Sequence, residues 1–451
     1  MKDLKPESKT ITKVDINKDS SFCLIDYKHP QHGWANRDMT GGYGSGPNDN
    51  NNLFFKIFKE IKKSFIRIPS TVLATSKSIL LYKGFKVSTS NDYIPGYSHY
   101  VIHSSIHHYK YELDLAKKIR SNENSAKIIF IGPFSESKPE LFKNYSDIIV
   151  FGEFESWCEN LPLNNLKKSY DSFKKFSEFP LPSWDKQEIK SSSYFPALPK
   201  RPFLTLQGSR GCPFACEFCP YIVSQGIPMR AKDNKTIIQE LKYLKNKYNA
   251  KSILFRDITW SYNVKKTKDL CDLIISLKKE ENIFFDIGVE TRLDKLDIDL
   301  IKKMAAAGVK SINVGLESPV SKILNEAGRI TFDLTEAETK VKLMEKLGIK
   351  VQAFYILGLP DDTVESMKST IDFAIHMNTF TAQFCVFTPF PGTPTYEKYK
   401  DSIITDDFMQ FNEYTPVVSI KGATTEEIKL MTAKAYKNYY FRFGYFRKYF
   451  L

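Results

Sequence analysis

Three cysteines lie close together near the middle of the chain. Cys212, Cys216 and Cys219 have the spacing Cys-x-x-x-Cys-x-x-Cys, in a loop that follows a short β-rich run, Phe203–Leu206. A turn brings three such thiolates together at little loop-closure cost. Iron–sulfur clusters take thiolate ligands, usually four, so three ligands leave one cluster iron open for a substrate or cofactor. Zinc sites more often use paired Cys-x-x-Cys hooks, and the sequence holds no second hook, so the spacing favours an iron–sulfur cluster.

The loop resembles the cluster loop of the radical S-adenosylmethionine (radical SAM) enzymes, including the aromatic residue, Phe218, just before the last cysteine. In that family the open iron binds the amino and carboxylate groups of S-adenosylmethionine (SAM), and the reduced cluster cleaves SAM to methionine and a deoxyadenosyl radical. The resemblance implies a [4Fe–4S] cluster on Cys212, Cys216 and Cys219, SAM as a cofactor, and an electron donor such as flavodoxin or ferredoxin. The residues alone leave two alternatives open: three ordinary buried cysteines, or a zinc-binding nucleic-acid module.

Short apolar strands and helix-like segments alternate from Phe203 onwards. The predicted strands are 203–207, 252–257, 283–289, 310–315, 350–357 and 382–388. The helix-like segments are about 233–248, 264–281, 297–308, 333–348 and 363–378. Repeated strand–helix units favour a parallel barrel or part-barrel, in which the chemistry occurs at the carboxyl ends of the strands. The resemblance implies the partial six-strand barrel, (β/α)6, of the radical SAM enzymes, with the cysteine loop after its first strand.

Polar residues and glycines follow the other predicted barrel strands, and the resemblance assigns most of them to SAM. The residues that it places on SAM are Phe218, Arg230, Glu290, Arg292, Glu317, Ser318 and Gly358. The charged residues and the serine are expected at the ribose, amino or carboxylate groups, and the glycine lets the backbone approach the adenine and ribose closely. A salt bridge or a helix cap is the alternative for each charged residue. Asp257, after the second strand, is expected to face SAM or the substrate.

The residues before the cysteine loop contain a second series of alternating strands and helices. The predicted strands are 21–27, 85–90, 99–104, 126–131 and 147–151. This alternation indicates an open, Rossmann-like, mainly parallel α/β sheet, which binds ligands at the carboxyl ends of its strands. The residues at those ends are Ser104, Ser105, Gly132 and Gly152.

This half of the chain resembles the cobalamin-binding domain that precedes the radical SAM domain in one large subgroup. The resemblance rests on residues 83–87, 130–133 and 147–153, in this order before the cysteine loop, and it implies cobalamin at the strand ends just named. Many cobalamin domains carry Asp-x-His-x-x-Gly, whose histidine coordinates cobalt, but the nearest stretch, 26–33, has a different spacing. Cobalamin is therefore expected to bind without a protein imidazole, and the alternative is a domain that binds none.

The chain is predicted to have four parts. These are a cobalamin-binding-like domain, 1–155, with a Gly/Asn-rich loop at 28–52; a Ser-, Lys- and Pro-rich linker, 156–199; the radical SAM partial barrel, 200–395; and a helical C-terminal segment, 396–451. The last segment ends in a basic, densely aromatic tail that covers the substrate cavity, contacts a membrane surface peripherally, or packs as an ordinary helix. The remaining cysteines lack partner spacing and are predicted to be small buried residues: Cys23, Cys158, Cys271 and Cys385. The alternative for Cys385, on the last predicted strand, is that it reaches the cavity.

The composition indicates the cellular compartment of the protein and the kinds of molecule that it binds. The 451 residues carry a formal net charge of +13, but the lysines are spread along helix-like segments, which favours solvated helix faces over a nucleic-acid surface. Seven cysteines, three of them in one loop, fit a reducing compartment. No apolar run reaches membrane-spanning length and the polar N-terminus lacks a signal-peptide core, so a cytoplasmic protein is predicted.

These observations predict an oxygen-sensitive radical enzyme. Its leading reaction is cobalamin-dependent methylation of an unactivated carbon in a small-molecule or lipid-like biosynthetic substrate. The alternatives are a cobalamin-independent radical SAM reaction, such as a cyclisation, rearrangement or oxidation, and, less favoured, the zinc-binding nucleic-acid module. No catalytic side chain beyond the cofactor contacts is assigned from the sequence.

Overall fold

A computed structural model describes residues 16–30, 33–34, 65–161, 176–214, 216–329 and 331–449. Most of the predicted Gly/Asn-rich loop at 28–52, and residues 162–175 of the predicted linker, lie outside this described part. Within it, no helix combines the length and the apolar character needed to cross a membrane.

The N-terminal sheet has five parallel strands. They are β1 (Ser21–Ile25), β2 (Lys86–Ser90), β3 (His99–His103), β4 (Lys127–Ile131) and β5 (Ile148–Ile149). Their order across the sheet is β2-β1-β3-β4-β5, so the strand order reverses between β1 and β3. Open α/β sheets bind ligands at such a reversal, in the crevice beyond the carboxyl ends of the two strands. The predicted open α/β sheet is confirmed.

Helices cover both faces of this sheet because its central strands are apolar on both sides. Helices α1 (Thr71–Tyr82) and α4 (Phe154–Glu159) pack on one face, and α2 (Tyr109–Asn122) and α3 (Pro133–Ser137) pack on the other. The predicted linker begins at residue 156, but α4 packs against α1. Residues 156–159 are therefore part of the N-terminal layer.

The second sheet contains six parallel strands that neighbour one another in chain order. They are β6 (Phe203–Leu206), β7 (Ser252–Phe255), β8 (Asp286–Thr291), β9 (Val309–Glu317), β10 (Lys350–Leu357) and β11 (Thr381–Val386). Strands β6 and β11 form the two edges of the sheet, so the barrel is incomplete. The predicted six-strand partial barrel is confirmed.

Helices on the outside of the barrel follow its strands. In chain order, the helices from residue 186 to residue 399 are α5 (Lys186–Ser191), α6 (Tyr221–Gln225), α7 (Asn234–Tyr248), α8 (Val264–Glu281), α9 (Ile298–Ala307), α10 (Ser321–Glu326), α11 (Leu334–Lys346), α12 (Val364–Met377) and α13 (Pro394–Tyr399). The five longest begin at a residue whose side chain accepts a hydrogen bond from the first turn: Asp233, Asn263, Asp297, Asp333 and Thr363. Because these capping residues mark the helix starts, the alternation of strands and helices can be predicted from the sequence.

Residues from the predicted linker close the amino end of the barrel. Gln352 on β10 donates a hydrogen bond of 3.1 Å to the Tyr194 hydroxyl, which lies 3.4 Å from Asn313 on β9. The side chain of Leu198 lies 2.8 Å from the point where a Cβ on Gly288 would be. Since this end is filled, the carboxyl end is the open mouth of the barrel.

The C-terminal segment forms α14 (Thr425–Tyr440) and α15 (Phe443–Tyr449). Helix α14 packs against α12 and β11, and burial of Tyr436 and Tyr439 makes it part of the core. Helix α15 leaves the Phe443 side chain 74% exposed. The tail thus packs as an ordinary helix over α14 and, among the described residues, does not line the cavity described below. Its contact with a membrane stays a prediction.

Candidate active site

The cysteine loop is anchored at its start by Asp257. The Asp257 carboxylate accepts hydrogen bonds from the Gly208 backbone, at 2.9 Å, and from the Ser209 hydroxyl, at 2.5 Å. Burial raises the pKa of Asp257 to about 6, against the opposing effect of these two donors. The Asp257 carboxylate thus holds the loop, and its contact with SAM or the substrate stays a prediction.

Gly211 lets the loop turn back on itself directly before Cys212. Its φ is +87°, and a Cβ at this position would lie 2.1 Å from the Pro228 carbonyl oxygen. The close approach is needed because the Cys212 backbone donates a hydrogen bond to the Gly226 carbonyl, at 3.1 Å. Only glycine combines this φ with so little space.

Replacing Gly211 with alanine is therefore expected to lower the iron bound per chain after anaerobic reconstitution. The substitution adds backbone strain of about 1–2 kcal/mol and a clash with the Pro228 carbonyl. Gly226→Ala is the matched control, because its φ is +81° but the nearest atom to its Cβ, on Pro228, is 3.8 Å away. Equal loss of iron in the two variants would contradict the assigned role of the close approach.

The three cysteines of the loop open on one cavity at the carboxyl end of the barrel. Cys212 and Cys216 are buried, and Cys219 is partly buried. Burial raises the pKa of the Cys212 and Cys219 thiols, while guanidinium groups approach the Cys216 sulfur at 3.7 Å, from Arg329, and at 4.0 Å, from Arg292. The Cys216 sulfur therefore faces two positively charged side chains at the cavity.

The spacing of the three sulfurs bears on the zinc alternative. Among the described residues, no three histidine, cysteine or acidic side chains converge as the ligands of a single metal ion. A zinc ion would need its thiolates about 2.3 Å from one point. The ligands of a four-iron cluster each bind a different iron, so they stand further apart.

Acidic and basic side chains from β8 and β9 line the same cavity. Glu290 accepts a hydrogen bond of 2.9 Å from the Tyr221 hydroxyl. Arg292 lies 4.2 Å from the ring centre of Phe214 and pairs with Asp294 at 2.9 Å. The sequence placed Glu290 and Arg292 at SAM, and the structure brings both to the cysteines.

Glu317 and Arg329 form a buried ion pair, with 3.2 Å between their charged atoms. Glu317 has a φ of +55°, which is uncommon outside glycine. Burial raises the pKa of Glu317, and Arg329 and Arg292 act against that rise. Sequence reasoning missed Arg329. Its only signal is the Gly328-Arg329 pair after a short helix, which looks like any exposed helix end.

Three other residues assigned to SAM lie away from the cavity. Ser318 hydrogen-bonds to Thr370 on α12, at 3.1 Å. Gly358, with a φ of +73°, lies against Ile428 of α14. Arg230 pairs with Glu153, as described below, and none of the three lines the cavity, whereas Phe218 does. Contact of these three residues with SAM stays a prediction.

A buried group of four charges joins the N-terminal unit to the cysteine loop. Arg210 pairs with Glu155 at 2.5 Å and with Glu153 at 3.0 Å, and Arg230 pairs with Glu153 at 2.8 Å. Burial opposes the charged form of Glu153, but the two guanidinium groups outweigh it and lower its pKa. Burial raises the pKa of Glu155, and the lowering effect of Arg210 does not cancel this rise. We call this group, Arg210, Arg230, Glu153 and Glu155, the charge clasp.

The serines predicted to contact cobalamin lie at the carboxyl end of β3. The Ser104 hydroxyl donates to the Ile131 carbonyl at 3.0 Å and accepts from the Ser135 backbone at 3.2 Å. The Ser105 backbone donates to Glu112 at 2.9 Å. Ser104 therefore ties the ends of β3 and β4 together, and contact of either serine with cobalamin stays a prediction.

The predicted glycines follow β4 and β5 with φ values of +105°, at Gly132, and +86°, at Gly152. A Cβ on Gly132 would lie 2.9 Å from the His103 ring. Sequence reasoning missed His107, which follows β3 at the crevice. Both of its ring nitrogens are buried without a hydrogen-bond partner in the described part of the chain. Burial lowers the pKa of His107 to about 4.

Cys385 on β11 also lines the cavity, with Gln383 and Glu413. Its sulfur lies 3.4 Å from the Gln383 side-chain nitrogen and 3.9 Å from a Glu413 carboxylate oxygen. The prediction of a small buried residue is wrong here. Alternation along β11 turns every second side chain inward, and Cys385 is on the inward set. Cys23, Cys158 and Cys271 are buried as predicted.

Comparison with known proteins identifies the barrel. Residues 206–374 match the family model of the Radical SAM superfamily. An uncharacterized methyltransferase of Pyrococcus horikoshii is 30% identical over 271 residues, which are 59% of this chain and 56% of that protein. The anaerobic magnesium-protoporphyrin IX monomethyl ester cyclase of Cereibacter sphaeroides is 26% identical over 236 residues, 52% of this chain and 38% of that protein. The chain thus spans less than two thirds of the length of these relatives.

The fold is shared with a solved structure, that of the radical S-adenosylmethionine methyltransferase TsrM from Kitasatospora setae with cobalamin and a [4Fe-4S] cluster bound. The TM-score is 0.63 at 13% identity, over 85% of this chain and 78% of that chain. The likeness therefore extends over the N-terminal sheet and the barrel together. With the cysteine loop at the mouth of a six-strand partial barrel, residues 206–374 of this chain form a domain that matches the Radical SAM superfamily.

Proposed function

We propose that this chain is a cobalamin-dependent radical SAM methyltransferase acting on an unactivated carbon of a small or lipid-like biosynthetic molecule. The observation that carries the proposal is one cavity onto which three loop cysteines and five charged side chains open together. The methyltransferase names of a relative and of the structural neighbour support the reaction class. A protein of the flavodoxin or ferredoxin type is the proposed electron donor.

The charged residues of the cavity fit the polar groups of SAM. Its amino group is cationic and its carboxylate is anionic. Glu290 and Glu317 offer carboxylates for the first, and Arg292 and Arg329 offer guanidinium groups for the second. Hydrogen bonds between such charged partners are short and strong, and burial reduces their screening by water. The site thus matches both ends of the amino-acid part of SAM.

The same residues are suited to radical chemistry. When bound, the cluster supplies the electron that splits SAM into methionine and a deoxyadenosyl radical, and cobalamin supplies the methyl group. The chain holds the cluster by Cys212, Cys216 and Cys219. Apolar side chains on the cavity wall, such as Phe218 and Phe387, exclude water and so limit side reactions.

The crevice of the N-terminal sheet fits a ligand such as cobalamin. It lies at the reversal of strand order, between the ends of β1 and β3. His107 brings two buried ring nitrogens without partners to this edge, and buried polar groups of this kind are normally hydrogen-bonded. Gly132 and Gly152 add no side chains of their own to this edge. These features support a polar ligand over an empty domain.

A radical SAM reaction without cobalamin, such as a cyclisation, is the second candidate, and the relative named as a cyclase supports the reaction type alone. The two candidates share the cluster site and differ at the N-terminal crevice. The absorption spectrum of protein reconstituted with hydroxocobalamin and then desalted separates them. Absence of a bound corrinoid would remove the methylation mechanism and leave the radical cleavage of SAM intact.

The proposal is tested by anaerobic reconstitution with iron, sulfide and hydroxocobalamin, followed by SAM and dithionite. We expect the protein to retain corrinoid absorption after desalting and to release deoxyadenosine, because both sites are formed by the folded chain. Protein denatured before reconstitution is the control for loose binding of either cofactor. Zinc in the cysteine loop of anaerobically prepared protein, or intact SAM at the end of the reaction, would contradict the proposal.

A further inference from the structure

A polar group lies on the wall of the active-site cavity at the β11 edge of the sheet. It consists of Gln383 and Cys385, which are inward-facing neighbours on β11, and of Glu413 from the segment that follows the barrel. The Cys385 sulfur contacts both partners, at 3.4 Å and 3.9 Å. Apolar side chains, such as Phe387 and Phe390, surround this group on the cavity wall.

The backbone at Glu413 is held in a conformation that aims its carboxylate at this wall. Glu413 has a φ of +63°, which is rare for a residue with a long side chain. The strain is fixed by a hydrogen bond of 2.6 Å from the Val386 backbone to the Glu413 carbonyl, directly after Cys385. Strained backbone that the surroundings hold in place is characteristic of functional sites.

Cys385 differs from the other six cysteines in its surroundings. Three are the proposed cluster ligands. Another three, Cys23, Cys158 and Cys271, are completely buried, and burial raises the pKa of their thiols. Cys385 is the one cysteine that lines the active-site cavity without belonging to the cysteine loop. A thiol in this place is within the same enclosed space as the groups that the proposed function attributes to radical formation.

We propose that Cys385 is a catalytic hydrogen-atom donor to carbon-centred radicals formed in this cavity, with Glu413 orienting its S–H group. The inference rests on the proposed function, which supplies the radical. In the transfer, the S–H bond breaks homolytically, a C–H bond forms on the radical, and the sulfur becomes a thiyl radical. One electron from the low-potential donor that also reduces the cluster, and one proton delivered through Glu413, restore the thiol.

The direction of this transfer follows from bond strengths. An S–H bond is weaker than the C–H bond of an alkyl group, so an alkyl radical takes hydrogen from a thiol downhill. An O–H bond of a serine or of water is too strong to be used in this way. The enzyme would therefore be able to quench a carbon-centred radical with a hydrogen atom when no methyl group reaches that radical. This adds a reduced product to the methylated product proposed above.

The test uses the exchange of thiol hydrogen with solvent, so it needs no identified substrate. Reconstituted protein is incubated with SAM and dithionite in D2O, without added thiols, and the released deoxyadenosine is analysed by mass spectrometry. For the wild type we expect a mass increase by one deuterium in the deoxyadenosine. Cys385→Ala and Cys385→Ser are expected to lose this label, and Cys271→Ala, which changes a cysteine far from the cavity, is expected to keep it.

The serine variant separates a hydrogen donor from a structural residue. It preserves the size and polarity of the side chain, so a merely structural role would leave the label in place. Unlabelled deoxyadenosine from the wild type, or label that persists in both Cys385 variants, overturns the inference while leaving the proposed function standing. Complete absence of deoxyadenosine from the wild type overturns the proposed function and, with it, this inference.

A second measurement does not depend on turnover. In cluster-loaded protein, the loop cysteines are occupied by iron and the three buried cysteines are out of reach. Iodoacetamide is therefore expected to alkylate Cys385 alone, and SAM is expected to slow the reaction by filling the shared cavity. Failure of Cys385 to react in the folded protein, when it does react after denaturation, would show that the thiol is closed off and would overturn the inference.

Discussion

Cys216→Ala is expected to abolish cluster binding and the release of deoxyadenosine. The substitution removes one of three thiolates in a site where a fourth ligand must come from SAM. The loss in iron affinity should exceed the roughly 100-fold that follows removal of an outer partner of a metal ligand. It also leaves the guanidinium groups of Arg329 and Arg292, now 3.7 Å and 4.0 Å from the sulfur, without the thiolate they face.

The measurements are the iron content per chain, the visible absorption of the cluster, and the deoxyadenosine released with SAM and dithionite. Cys271→Ala is the matched control, because Cys271 is a buried cysteine on α8 that lines no part of the cavity. It is expected to bind iron and cleave SAM as the wild type does. A Cys216→Ala protein that kept both properties would show that the loop is not the cluster site.

Arg210→Met is expected to destabilise the protein by about 3–5 kcal/mol, because it leaves a buried charge without its partner. Glu153 keeps its pair with Arg230, at 2.8 Å, but Glu155 loses the guanidinium that lies 2.5 Å away. Methionine preserves much of the side-chain volume, so loss of packing contributes little. The shift of the first transition in thermal or urea unfolding measures the effect.

The double variant Arg210→Met, Glu155→Gln is the matched control for the charge clasp. Removing the unpaired carboxylate should restore a large part of the lost stability, since replacing both partners costs less than orphaning one. No recovery in the double variant would mean that Arg210 acts through shape rather than charge.

The effect of Arg210→Met should also depend on pH. Glu155 is buried and its pKa is already raised in the folded protein, so loss of Arg210 raises that pKa further. A carboxyl group with a higher pKa in the folded state than in the unfolded state binds more protons when folded, so stability falls as the pH rises between those two values. The deficit of the single variant should therefore be smaller at acidic pH, and the double variant should lose this dependence.

The charge clasp also explains how the end of the N-terminal sheet is held in place against the cysteine loop. Arg210 stands two residues before Cys212, and Glu153 directly follows Gly152 at the edge of the N-terminal sheet. The clasp thus fixes the start of the cysteine loop against the end of β5. In the sequence, these residues are separated by more than the length of the predicted linker, and nothing in their local patterns pairs them.

Much of the fold was predictable because each element carries its own local signal. Strand–helix units recur with caps such as Asp233 and Asp297, whose side chains accept the first-turn hydrogen bonds. Within the predicted linker at 156–199, by contrast, short elements pair with partners that are distant in sequence. Tyr194, for instance, reaches Gln352 across the barrel, and a contact of that separation leaves no periodicity in the sequence.

The residues of the candidate site likewise divide into those that local sequence patterns indicate and those that they do not. Cys212, Cys216 and Cys219 are close in sequence, so their convergence is nearly independent of the rest of the fold. Glu290 and Arg292, which the family resemblance assigned to SAM, line the same cavity, because strand ends in parallel barrels share one face. Arg329 was missed, and for Cys385 a small buried residue was preferred to a position at the cavity, since each depends on how separate elements pack.

By itself, the sequence determined the cysteine triplet, the order of strands and helices and the division into two α/β units, because these follow from spacing and local periodicity. Only the tertiary structure decided which polar groups pair. Asp257 accepts a hydrogen bond from the start of the loop, Arg329 pairs with Glu317, and Arg210 pairs with Glu155. Such pairings are set by burial and by the distance between side chains in space, and neither quantity is encoded in any short stretch of the chain.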